Sequence, residues 1–168
     1  MRTPLVVVVM GVSGTGKSTV GPLVADRLGV PYAEGDDFHP AANVAKMTAG
    51  VPLEDADRWP WLDAIGRWAR GRAGCGGVVS SSALKRSYRD RLRQEHPGLV
   101  FLHRTGDRPL IEERMAARRG HFMPAALLDS QFGTLQPLGE DEAGVAVDVS
   151  GTPEETADRA AAALRALA

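Results

Sequence analysis

Apolar positions change period abruptly within the first thirty residues. Leu5-Val6-Val7-Val8-Val9-Met10 is a continuous, mostly β-branched run, the pattern of a strand buried on both faces inside a parallel sheet. From Lys17 to Leu28 apolar residues recur at helical spacing and Gly29 supplies a stop, so a helix returns the chain for a second strand. Pro22 lies inside that helix, where its missing N–H predicts a local bend or a lost hydrogen bond. A short strand near Tyr32-Ala33 leads into the polar loop Glu34-Gly35-Asp36-Asp37-Phe38-His39-Pro40, followed by helical stretches at roughly Ala41 to Ala49 and Asp57 to Arg72. Further strands are read at Gly76 to Ser82, Leu99 to His103 and Val145 to Val149, with helical segments between them. The tract from Arg70 to Gly77, with four glycines, reads as a flexible connection into the third strand. An alanine-rich helix from Pro153 to Leu167 closes the chain, with Thr152 as its cap and Pro153 at its first position.

Such βαβ alternation predicts a parallel sheet with helices on both faces and ligands at the C-terminal edge of the strands. A length of 168 residues with 43% hydrophobic content suits one domain. Twenty Lys plus Arg against 21 Asp plus Glu give no overall positive field for nucleic acid or anionic membrane, so any cationic site must be local. One cysteine, Cys75, excludes an intramolecular disulfide framework and a multi-cysteine metal cluster, and fits a reducing cytosol. The run from Pro4 to Met10 is too short to span a bilayer and enters a glycine-rich loop, not a signal cleavage region. A cytoplasmic location without membrane insertion is therefore the expectation. Trp59, Trp61 and Trp68 offer a sugar-stacking platform or core packing, and core packing is expected for at least two of them.

The first strand runs directly into Gly11-Val12-Ser13-Gly14-Thr15-Gly16-Lys17-Ser18, followed by Thr19. The pattern G-x-x-x-x-G-K-S uses glycines so that successive N–H groups line one concavity against phosphate oxygens. Lys17 then reaches the β and γ phosphates, the Ser18 hydroxyl ligates Mg²⁺, and the helix dipole adds partial positive charge. The motif alone leaves ATP or GTP open, but the chain carries no Asn-Lys-x-Asp guanine-reading motif. Asp141-Glu142-Ala143-Gly144 matches D-x-x-G too late in the chain to act as a switch. Phosphoryl transfer to an alcohol requires an oriented hydroxyl and a proton acceptor. Asp36, just beyond the second strand, is the candidate for that role, and Glu34 for holding a Mg²⁺-bound water.

Longer strings carry a resemblance. Gly35-Asp36-Asp37-Phe38-His39-Pro40, Asn43, Lys46-Met47, Asp57-Arg58, Pro60-Trp61-Leu62, Ser82-Ala83-Leu84-Lys85, Tyr88-Arg89-Asp90, Gly120-His121-Phe122 and Gln131-Phe132 resemble, almost end to end, the small P-loop gluconate kinases, relatives of shikimate and nucleoside monophosphate kinases. The resemblance implies a P-loop kinase fold with a five-stranded parallel sheet and a small lid. It makes residues 1–168 one domain, with an acceptor-binding helical region at about 36–72 and the lid at about 114–136. It implies transfer of the ATP γ-phosphate to the 6-hydroxyl of D-gluconate, giving 6-phosphogluconate and ADP, with Mg²⁺ as cofactor. Lys17, Asp36 and Arg118 are then the catalytic candidates, Arg118 closing over the phosphates from the lid.

For the acceptor, a polyol with one carboxylate, the resemblance nominates the cations His39, Lys46, Arg58, Lys85 and Arg89. Asp36 and Asn43 would read hydroxyls, and His121 and Gln131 join the substrate set. Lys85 and Arg89, four apart, share one helical face if helix begins there. Val147 to Pro153 resembles the loop that borders adenine in related kinases. Two positions depart from the family pattern: Gly133, where glutamate is frequent, and Ser81, where cysteine is. A kinase for another small hydroxy acid or polyol is the open alternative, and a nucleotide-dependent switch without an acceptor is a more distant one. The residues carry no code for oligomeric state; the relatives are commonly dimers, so a homodimer is one expectation.

Overall fold

The computed structural model describes residues 4–11, 17–106, 109, 131–148 and 150–167. Strand β1 (Val6–Met10) leads to helix α1 (Lys17–Leu28), β2 (Tyr32–Ala33), a 3₁₀ turn (Gly35–Phe38), and helices α2 (Ala41–Thr48) and α3 (Asp55–Gly71). Then come β3 (Gly77–Ser80), α4 (Arg86–Glu95), β4 (Val100–Thr105), β5 (Gly144–Asp148) and α5 (Pro153–Arg165). The five strands form one parallel sheet in the order β2-β3-β1-β4-β5. From β1 the chain leaves toward one edge of the sheet and from β4 toward the other, which opens a crevice at their C-terminal ends.

Strand β1 is buried throughout because each face has its own core. Val6, Val8 and Met10 pack with Trp61, Leu62, Ile65, Leu92 and Phe101 on the side of α3 and α4. Val7 and Val9 pack with Val20, Val24, Ala157, Ala160 and Leu164 on the side of α1 and α5. The period-2 alternation of a strand thus divides one apolar run between two helical layers.

Local signals set the helix ends. Gly29 (φ +70°) ends α1, which runs uninterrupted through Pro22. Thr152 caps α5, accepting from the Glu155 N–H at 3.1 Å. Helix α3 begins two residues before the expected Asp57, because Glu54 is its cap and Asp57 reaches back to the Glu54 N–H at 2.8 Å. Among the described residues no helix is long and apolar enough to cross a membrane.

Candidate active site

Gly11 (φ 149°) ends β1, and Lys17, the first residue of α1, donates from Nζ to its carbonyl at 2.8 Å. Burial lowers Lys17 to about 8, opposed by the carboxylates of Asp36 and Glu34. Val12, Ser13, Gly14, Thr15 and Gly16 lie outside the described residues, and Thr19 is exposed on α1. Glu34, just past β2, gathers three hydroxyls: Ser18 at 3.1 Å and Ser80 at 2.7 Å on Oε1, and Tyr32 at 2.9 Å on Oε2. Burial, foremost, pushes the Tyr32 phenol up to about 12, so it stays a donor. The Tyr32 ring lies where a Cβ on Gly21 would be, 2.5 Å from the ring edge; the glycine lets α1 approach. Ser18 Oγ and Glu34 Oε1 are hard oxygen donors on adjacent elements, the chemistry Mg²⁺ takes while keeping several of its waters. The residues present fit that ion.

Gly35 joins this corner to the acceptor region. A Cβ there would lie 1.7 Å from the Ser80 carbonyl oxygen, so glycine is required for the backbone to pass. Its N–H donates to Ser80 Oγ at 3.2 Å, and its carbonyl accepts from Trp61 Nε1 at 2.8 Å. The Trp61 ring stacks on His39, with centroids 4.3 Å apart and planes at 11°. Trp61 is core, as expected of at least two tryptophans, and Trp59 and Trp68 pack against the same cluster; Trp61 is also the floor under His39.

Asn43 Nδ2 donates to the Asp57 carbonyl at 2.8 Å, which fixes the amide orientation, and the same nitrogen lies 3.2 Å from His39 Nδ1. His39 Nδ1 is therefore the acceptor, and a neutral ring carries its proton on Nε2. Burial holds the imidazole below the ordinary histidine range, Asp36 opposing and Arg58 adding to the shift. Nε2 faces Asp36 Oδ1 at 3.8 Å, and the Asp36 side chain is 81% exposed. It is an open carboxylate whose charge acts on the Lys17 ammonium.

The acceptor-side cations are each engaged. Lys85 Nζ donates to both oxygens of Asp55 at 3.2 Å. Tyr88 donates to Asp55 at 2.5 Å and accepts from Arg58 Nη1 at 3.1 Å. Lys46 pairs with Asp57 at 2.8 Å. Arg89 is placed differently from these cations. Helix α4 begins at Arg86, Lys85 is its cap, and Arg89 is fully buried. Its guanidinium meets Glu142 at 2.7 and 3.0 Å and the carbonyls of Ala83, Leu84 and Pro137. Burial would raise Glu142, but Arg89, the Gly139 N–H and Arg93 hold it at about 2. The D-x-x-G match thus serves as a structural tie, with Asp141 on Arg86.

Arg118 and His121 lie outside the described residues. Gln131, half-buried, belongs to a helical stretch described at 131–134. Within that stretch a Cβ on Gly133 would meet nothing within 4 Å among the described residues. Arg104 and Arg159 donate to the Asp148 carbonyl, bracing the segment that resembles an adenine border.

Tyr32, Ser80, Asp55, Tyr88 and Trp61 were not singled out as site residues by sequence reasoning. Ser80 had a usable signal, since it follows Val78 by two and so faces α1. Asp55 and Asp57 read as first-turn acids that complement a helix dipole, and nothing local names their partners.

No family model matches the chain. It is 48% identical to the gluconokinase of Gluconobacter oxydans (strain 621H) over 153 residues, 90% of this chain and 86% of that protein. It is 46% identical to the thermoresistant gluconokinase of Escherichia coli (strain K12), over 83% of this chain and 81% of that one. The crystal structure of a gluconokinase from Sinorhizobium meliloti 1021 superposes with a TM-score of 0.92 at 49% identity, covering 100% of this chain and 95% of that chain. Identity at this level across most of each length, on a shared five-stranded parallel sheet, places the chain in the gluconokinase family.

Proposed function

We propose that this protein transfers the γ-phosphoryl group of ATP to the 6-hydroxyl of D-gluconate, giving 6-phosphogluconate and ADP. The observation that carries the reading is the exposed carboxylate of Asp36, which faces His39 at 3.8 Å on the acceptor side and stands two residues past Glu34, the centre of the donor corner. Lys17 pairs with the phosphates. Asp36 accepts a hydrogen bond from the acceptor hydroxyl, aligns its oxygen with the phosphorus and takes its proton as the bond forms. Ser18 and Glu34 would hold Mg²⁺, directly or through its waters. When bound, Mg²⁺ neutralises phosphate charge and orients the transferring group. Arg118 is assigned to the charge that develops on that group.

On the acceptor side, neutral His39 offers its Nε2 proton to a hydroxyl oxygen, and Asn43 holds the ring for that purpose. Arg58 and Lys85 supply positive charge for the carboxylate, with Tyr88 between them; Lys46 lies at the rim. The enzyme works in the cytoplasm, where a reducing medium suits its free, exposed Cys75. Steady-state ATP consumption with gluconate, shikimate and glycerate tests the reading. Gluconate should give the highest kcat/KM, and inactivity with gluconate would refute the substrate assignment.

A further inference from the structure

The connection from β3 to α4 contains Ala83, the only non-glycine residue with positive φ among the described residues (φ +39°). A side chain rarely adopts this conformation, and it persists only where the surroundings determine it. Two features do so here. The Ala83 methyl is fully buried in the core on the α3 and α4 side, so glycine would lose packing. Arg89 Nη1 also donates to the Ala83 and Leu84 carbonyls at 3.0 and 3.4 Å, fixing the two peptide groups that precede Lys85.

The same guanidinium is held by residues some fifty positions away. Nε and Nη2 meet the two Glu142 oxygens at 2.7 and 3.0 Å, and Nη2 also reaches the Pro137 carbonyl at 3.3 Å. Glu142 in turn accepts from Arg93 and from the Gly139 N–H. Backbone ties run in parallel: Gln136 N–H to the Leu84 carbonyl at 2.7 Å, and Arg86 N–H to Gln136 Oε1 at 2.7 Å. A buried ion pair is weak evidence for stability, because apolar residues of similar volume commonly serve as well. What apolar residues cannot do is donate to the Ala83 and Leu84 carbonyls.

We propose that the buried pair Arg89–Glu142 is a positioning device for Lys85, which locks the strained loop at residues 83–85 and joins it to residues 136–142 as one rigid unit. The proposal rests on Lys85 being part of the acceptor site. Lys85 caps α4 in an extended conformation, so its ammonium reaches Asp55 and Tyr88 only if the two preceding peptides keep their orientation. Arg89 touches no substrate; it acts through the backbone.

Arg89→Lys keeps the charge but cannot bridge Glu142 and the two carbonyls together. Its KM for gluconate should rise about tenfold or more, as a displaced binding group requires, while its KM for ATP stays unchanged. The double replacement Arg89→Met with Glu142→Leu restores apolar burial without donors. A retained Tm with the same selective rise in KM separates positioning from mere support. A wild-type KM for gluconate in either folded variant overturns the proposal, and so does an equal rise in both KM values. Should neither variant fold, hydrogen exchange on the unaltered protein decides the matter. Amides at 84–89 and 138–142 should open together, and independent opening overturns the proposal. That measurement needs no substrate, so a wild type inactive on gluconate refutes the proposed function and leaves the clamp to be judged by exchange.

Discussion

Glu34 collects hydroxyls, whereas Asp55 and Asp57 collect cations, and this contrast separates the donor corner from the acceptor region. In the donor corner one carboxylate accepts from Ser18, Ser80 and Tyr32, all neutral groups fixed on strand ends or a helix start. An arriving ion meets an organised acceptor with no charge to displace. In the acceptor region Lys46, Arg58 and Lys85 face aspartates, so an acceptor carboxylate must share or exchange partners that the protein already supplies. Partly exposed pairs of this kind are weak, which makes the exchange inexpensive and sensitive to salt. The donor side is preorganised; the acceptor side is charge-compensated.

The largest effect expected within this comparison lies at the residue between the two halves. Asp36→Asn keeps the shape of the side chain but removes its capacity to take a proton, so kcat should fall by about 10²- to 10⁴-fold with ATP binding retained. Rapid-quench or steady-state kinetics beside nucleotide titration will read both quantities. Near-normal turnover would mean that the hydroxyl needs no base, as a loose transition state permits.

Gly35→Ala comes next. Its Cβ would sit 1.7 Å from the Ser80 carbonyl oxygen, a clash with backbone that no rotamer change relieves. It should cost about 3 kcal/mol or more in urea unfolding and raise KM for both substrates, since Gly35 ties Ser80 to Trp61. Loss confined to one substrate would show that the two halves are held independently.

Gly35 also marks the limit of what the sequence made legible. Strands, helix order and the sheet edge followed from periodicity, because the Val6–Met10 run and the caps at Gly29 and Thr152 are local signals. The phosphate loop and Asp36 could be nominated from motif and position. The need for glycine at 35 and the second task of Trp61 arise from contacts 26 to 45 residues away, and no local pattern encodes them. Arg89 shows the same limit more sharply. Spacing from Lys85 put the two on one face, but a helix start one residue later and a partner at Glu142 sent the guanidinium into the core.

A subtler effect follows from Lys17, held at about 8 chiefly by burial. Phosphates favour the ammonium, so its bound-state value lies above 8 and the complex holds more protons than the free protein above that pH. ATP affinity should be flat below pH 8 and then fall by up to about tenfold per pH unit. Stability of the free protein changes with the opposite sign. Between about 8 and the unfolded value of 10.5 the unfolded chain binds the extra proton, so the Lys17 contribution rises with pH. Calorimetric titration of ATP in buffers of different ionisation enthalpy should find proton uptake at pH 9 and none at pH 7. No uptake at pH 9 would remove Lys17 from contact with the phosphates.

Asp55→Asn should give the smallest effect and address the acceptor half most directly. Asparagine keeps a partner for the Tyr88 hydroxyl but releases Lys85 and Arg58 from a competing charge. The KM for gluconate should therefore fall, by a factor of about two to five given the modest worth of exposed pairs, and stability should change little. Added salt should narrow the gap between the two proteins, because it screens the competitor that the substitution removes. A rise in KM would reverse the interpretation of this cluster: Asp55 would then orient Lys85 and not compete for it, and the acceptor region would be preorganised in the same sense as the corner around Glu34.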